Sequence, residues 1–176
     1  MAELELSAGT KVVYPAHGVG EVKGVETQII GGMEITAYVV VFDRDKMTLR
    51  IPVSRAEASG LRALSSSDQL DKVRHTLKGR ARTSRGMWSR RAKEYESKIN
   101  SGNIVSLAEV VRDLHKNVDD PDRSYSERVI YENALNRLAG EISAVEEIEL
   151  GKASEILVKT INDNNPKKEE SEEAAA

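Results

Sequence analysis

The sequence contains no cysteine. That excludes a disulfide framework and zinc held by thiolates. Aromatic residues are scarce at 4%, with one tryptophan and one phenylalanine. Any core must therefore be largely aliphatic, and Trp88 has no second indole to share its role. Apolar runs are only a few residues long, far short of the roughly 20 needed to span a bilayer. The opening MAELELSAG lacks the basic-plus-apolar pattern of a signal peptide, so a cytoplasmic location is expected. Catalytic signatures are missing as well. There is no GxxxxGK(S/T) phosphate loop, no HExxH and no GxSxG. The three histidines, His17, His75 and His115, fall in different segments and are expected on the surface or in loops. Glu146-Glu147 are expected on a helix surface without a pocket. No enzyme, catalytic residue, metal site or cofactor is expected, and function is to be sought in binding.

Neither basic nor acidic residues dominate the total, 26 against 29 for a net of −3, but locally they do. Residues 1–60 carry a net of −2, residues 61–140 a net of +5 and residues 141–176 a net of −6. Within the middle block, residues 72–93 hold nine basic side chains and no acidic one: Lys72, Arg74, Lys78, Arg80, Arg82, Arg85, Arg90, Arg91 and Lys93. Such a run repels itself unless a polyanion neutralises it, and phosphate contacts that release counterions would supply affinity without sequence preference. A solvated basic face is the plainer alternative.

With 39% hydrophobic and 31% charged residues, the chain is expected to fold. Residues 10–52 have β character. Thr10–Tyr14 is a short β-branched run. Val19–Ile30 and Met33–Asp43 flank Gly31-Gly32, a two-residue hairpin signal. Tyr38, Val40 and Phe42 alternate with Val39 and Val41, so both faces are apolar, as in a central strand. Met47, Leu49 and Ile51 alternate with Thr48 and Arg50 in a half-buried strand that Pro52 ends. Leu61–Leu64 is a candidate last strand. The period then changes. Ser65-Ser66-Ser67 is a cap cluster, followed by Leu70, Val73 and Leu77 at helical spacing with Gly79 as a stop. Residues 80–86 form a basic loop. A second helix spans about Met87–Asn100, with Trp88, Ala92, Tyr95 and Ile99 as its stripe. A third spans about Ile104–Asn117. Ser124 and Glu127 form a capping-box pattern opening a fourth, with Val129, Ile130, Leu135, Leu138 and Ile142 inward. A fifth spans about Glu146–Asn162, with Ile148, Ile156, Leu157 and Ile161.

The fold expected is α+β by domain. A small SH3- or Tudor-like β-barrel (residues 1–64) precedes an all-α DNA-binding domain of about five helices (residues 65–162). An acidic tail (residues 163–176) is expected to be disordered. Trp88 admits two roles on this pattern. It opens the apolar stripe, as a core residue would. It also sits in the first turn beside Arg90, Arg91 and Lys93, where an indole can wedge against bases. Val13-Tyr14-Pro15-Ala16-His17-Gly18-Val19-Gly20 is expected to be a barrel corner.

Two segments resemble one family. VVYPAHGVGEV, followed by a barrel ending in LRIP, resembles the RNA-polymerase-interacting domain shared by CarD/CdnL proteins and transcription-repair coupling factor. WSRRAKEYESKINSGN followed by LAEVVRDL resembles the helical DNA-binding domain of CarD/CdnL alone. The likeness runs over roughly residues 7–160, and no helicase motor accompanies it. The resemblance implies a transcription regulator whose barrel binds the RNA polymerase β subunit. It also implies contact with promoter DNA at the upstream edge of the bubble, through minor groove and phosphates with little base specificity, and stabilisation of the open complex. It implies that Trp88 is a minor-groove wedge, with Arg90 and Lys93 on phosphates. Arg85 in the basic loop and Arg91 beside the stripe join them as expected DNA contacts. Arg50 matches a polymerase-contacting arginine, with Gln28 and Ile30 as further expected contacts. Gln28 stands where the family commonly has arginine.

Other classes fit the composition too. One is a generic nucleoid or RNA-binding protein with a self-associating barrel, and another is a scaffold whose barrel reads a peptide. A monomer associated with the nucleoid is expected. The terminal Ala174-Ala175-Ala176 after an acidic run resembles the tags engaged by ATP-dependent unfoldase–proteases.

Overall fold

The structure, a computed structural model, describes residues 6–82 and 86–164. Its strands are β1 (Lys11–Tyr14), β2 (Gly18–Ile30), β3 (Met33–Phe42), β4 (Met47–Pro52) and β5 (Arg62–Ala63). They form one antiparallel sheet in the order β4-β3-β2-β1-β5. Gly31 and Gly32 both have positive φ, 60° and 79°, the conformation a tight two-residue hairpin demands and glycine enters freely. β3 lies between β2 and β4. Its Tyr38, Val40 and Phe42 are buried, while Val39 and Val41 are half-buried on the other face. The sheet's core joins these three to Val12, Val22, Ile51, Ala56 and Leu61.

The helices are α1 (Ser67–Lys78), α2 (Trp88–Asn100), α3 (Ile104–His115), α4 (Tyr125–Glu146) and α5 (Leu150–Asn164). Ser66 caps α1, accepting the Gln69 N–H while the Gln69 side chain accepts the Ser66 N–H. Asn103 caps α3 by accepting from Val105 and Ser106. A second core, centred on Val73, Leu77, Val110, Val111, Leu114 and Leu138, unites all five described helices.

Several expectations are corrected. Ser124 accepts the Glu127 N–H, but the Glu127 carboxylate turns to the Asn117 amide. Val129 is exposed because Ile130 and Tyr131 take the inward positions of α4. Glu147 adopts left-handed backbone (φ 55°) and closes α4, so Ile148 packs from a loop and α5 begins at Leu150. Ala153, Leu157 and Ile161 form the inward stripe of α5, leaving Ile156 exposed. Asp163 and Asn164, expected in the tail, complete α5. The tail's remaining residues, with Ala174-Ala175-Ala176, and Arg85 lie outside the described residues. His115 is buried, not superficial: its Nδ1 lies 2.7 Å from the Tyr131 hydroxyl and its Nε2 2.8 Å from Asn162 Oδ1.

Candidate nucleic-acid interface

The cationic stretch occupies the end of α1, the loop after it and the start of α2. Lys72, Lys78, Arg80, Arg82, Arg90 and Lys93 are exposed. Arg74 is exposed as well, but its guanidinium is engaged, with Asp71 at 3.1 Å and with Glu146 on α4. The loop is held from beneath. Buried Asp113 on α3 accepts the Arg82 N–H and the Arg112 Nε, both at 2.9 Å. Arg112 also reaches the Thr76 carbonyl at 3.4 Å, near the end of α1. One buried carboxylate thus fixes where the basic loop departs. The one cue in the sequence is the adjacent Arg112-Asp113 pair, which falls on the inward side of an amphipathic helix beside Val111 and Leu114.

Trp88 is the first residue of α2. Met87, itself exposed, provides no side-chain cap, so the positive end of the helix dipole opens beside the indole. The indole is half-buried and leans on Tyr95, with ring centroids 6.3 Å apart at 43°. The Arg91 guanidinium lies 5.5 Å from the ring centroid and 3.5 Å from the Tyr95 hydroxyl. Arg91 is therefore half-buried support for Trp88, and its Nε finds no hydrogen-bond partner. Arg90, 80% exposed, makes only a 3.8 Å approach to Glu94, and Lys93 is exposed. Trp88 thus packs against the helical core yet keeps part of its ring exposed.

On the sheet, strand register puts Arg50 opposite Val39 and Glu26 opposite Ala37. Alternation then sets Glu26, Gln28, Ile30 and Arg50 on one face. Glu26 and Ile30 are about 13 Å apart along β2 at an ordinary strand rise. Arg50 Nε meets Glu26 Oε2 at 2.9 Å, with both side chains about half exposed. Gln28 is exposed, and Ile29, Ile30 and Met33 at the hairpin end are 78%, 58% and 70% exposed. The tip of the hairpin thus presents apolar side chains to solvent.

Two family models match this chain. The CarD-like/TRCF RID domain covers residues 6–65, and the CarD C-terminal domain covers residues 72–158. The chain belongs to the CarD/CdnL family. A candidate transcription factor of Bacillus subtilis (strain 168), YdeB, is 29% identical over 140 residues, spanning 80% of this chain and 92% of that protein. The solution NMR structure of the 72-residue N-terminal domain of Myxococcus xanthus CarD is similar at 29% identity. It covers 38% of this chain and 88% of that domain, with a TM-score of 0.30. CarD/CdnL membership makes the chain a transcription regulator with a Tudor-like N-terminal domain. Among the described residues, no helix is long and apolar enough to cross a membrane.

Proposed function

We propose that this CarD/CdnL chain binds the β subunit of RNA polymerase through the outer face of β2–β4 and promoter DNA through the start of α2, and so stabilises the open complex. The observation that carries the reading is Trp88, a half-exposed indole fixed by Tyr95 and Arg91 and flanked by exposed Arg90 and Lys93. A wedge must hold its orientation before DNA arrives, because ordering a loose ring would offset the contact it makes.

Phosphate contacts from Arg90, Lys93 and the loop cations, Arg85 among them, supply affinity without base preference. The indole enters the minor groove at the upstream edge of the bubble, where an apolar wedge stabilises an unstacked step. Arg91 serves the wedge more than the phosphates. Arg50 and Ile30, with Gln28 contributing a neutral amide, meet the β subunit. That tether raises the effective concentration of α2 at the promoter. The chain acts as a monomer and as a binding protein, with no chemistry of its own.

The test is two-handed binding. The chain should capture isolated polymerase β subunit, and separately bind duplex DNA with affinity that falls steeply as salt rises. DNA binding without β capture would point instead to a general nucleoid or RNA-binding protein with a self-associating sheet.

A further inference from the structure

The Tyr-Pro-Ala-His-Gly turn is not used by either binding surface. It lies at the seam between sheet and helices. Tyr14 and His17 stack at 5.7 Å and 11°, and the His17 N–H donates to the Tyr14 carbonyl at 3.0 Å, which stiffens the turn. Pro15 presses on two glycines from opposite sides of the seam. A Cβ on Gly60 would meet Pro15 at 2.8 Å, and one on Gly102, between α2 and α3, at 3.2 Å. Both glycines also have positive φ. No larger residue fits without moving the proline.

Two arginines cross this seam in opposite directions. Arg62 on β5 donates to Glu141 Oε1 at 2.5 Å and Oε2 at 3.2 Å, and to the Gly102 carbonyl at 2.6 Å. Glu141 on α4 is 2% exposed and also accepts the Ser65 N–H at 3.1 Å and the Ser65 hydroxyl. Arg137, one turn earlier on α4, donates to the carbonyls of Pro15 and Ala16, the latter at 3.0 Å. Burial, with Arg44 nearby, lowers the Arg137 pKa from the usual guanidinium value. A buried carboxylate satisfied by partners from the other unit gives a joint a single geometry, because every displaced position leaves a charge unpaired.

We infer that Glu141 and Arg137 are positioning residues that lock the sheet and the helices into one body, so that the β2–β3 hairpin and Trp88 are presented at a fixed spacing. This rests on the function proposed above. A factor that holds polymerase with one hand and the bubble edge with the other gains most when the spacing is preset. With a loose joint the same two contacts remain, but the effective concentration of the wedge at its step falls.

The absence of cysteine permits a direct test. Spin labels on Glu57→Cys and Lys152→Cys, both exposed, report the distance across the seam by pulsed electron resonance in the full chain. The parent should give one narrow distance distribution. Glu141→Gln keeps shape and an acceptor oxygen but removes the ion pair, and should broaden it. β-subunit capture and DNA affinity, measured separately, should stay unchanged. The added open-complex lifetime should fall roughly tenfold, on the order expected when a fixed spacing becomes flexible. Arg137→Met, at a half-buried site, carries the same expectation and decides the matter if Glu141→Gln does not fold. Distributions as narrow as the parent's would overturn the lock. Broadened distributions with the full lifetime retained would overturn its role in positioning. A parent that adds no lifetime at all would instead overturn the proposed function, and the lock would then stand or fall on the distances alone.

Discussion

Replacing Trp88 with alanine separates support from function. The indole is half-buried at the open end of α2, resting on Tyr95. Truncating a fully buried tryptophan costs ~3–5 kcal/mol. Half burial scales this to about 2 kcal/mol, the aromatic pair included. For a chain of this size that lowers the melting temperature by about 4–8 °C. At 25 °C the variant should still be folded and should still capture polymerase. The open complex should suffer more. An unstacked step held by a wedge is worth a few kcal/mol, and ~1.4 kcal/mol is already tenfold in rate. The lifetime added by Trp88→Ala should therefore be at least about tenfold shorter than that added by the parent. Trp88→Phe, which keeps a ring against Tyr95, should recover most of the melting temperature and only part of the lifetime. The assays are thermal unfolding by circular dichroism and decay of promoter complexes after heparin challenge. A melting loss equivalent to ~4 kcal/mol with an unchanged lifetime would make Trp88 a core residue and nothing more.

Charge reversal at Arg90 and Lys93 should weaken DNA binding equally on unrelated sequences and lower the salt slope by roughly two; an unchanged slope would move the phosphate contacts to Arg80 and Arg82. Arg50→Glu should abolish β-subunit capture. It should shift stability by less than about 1 kcal/mol, because its pair with Glu26 is solvent-exposed, and a large melting loss would make Arg50 structural. Burial, and more weakly Glu132, pushes the Tyr131 hydroxyl up to about 12, with Arg123 opposing. The unfolded phenol ionises first, near ~10. The stability from the neutral hydroxyl is therefore complete below about pH 10 and is lost as pH rises towards 12. Denaturant unfolding should show the parent losing about 2 kcal/mol relative to Tyr131→Phe over that window; parallel pH profiles would contradict the burial of this group.

Local signals carried much of the fold into view. Gly31-Gly32 marked the hairpin and Ser66 the start of α1, because each acts through its nearest neighbours. The stripe Trp88, Ala92, Tyr95 and Ile99 placed α2, because period alone sets which face is inward. Signals that depend on distant partners did not show. His115 resembled a surface histidine until Tyr131 and Asn162, 16 and 47 residues away, satisfied both ring nitrogens. Nine cations in one stretch resembled one surface until Glu146, 72 residues from Arg74, engaged one of them. The helical wheel set Arg91 beside the stripe but could not show that its guanidinium lies over Trp88, 5.5 Å from the ring centroid. The Tyr-Pro turn resembled a mere corner because Gly102 and Arg137, which give it a purpose, belong to the other half of the chain. The basic run 72–93 pointed to a polyanion by itself, whereas the proposed polymerase face rests on resemblance alone, because exposed Arg50, Gln28 and Ile30 have no pattern of their own.

The most direct measurement is the lifetime of the open complex on one defined promoter, with and without this chain, at fixed salt. Saturating protein should slow decay of the complex severalfold or more. The slowing should be lost in Arg50→Glu, which cannot be delivered, and in Trp88→Ala, which is delivered but lacks the wedge. An unchanged decay rate with polymerase and DNA both bound would contradict the central claim that the two contacts act together to hold the bubble open.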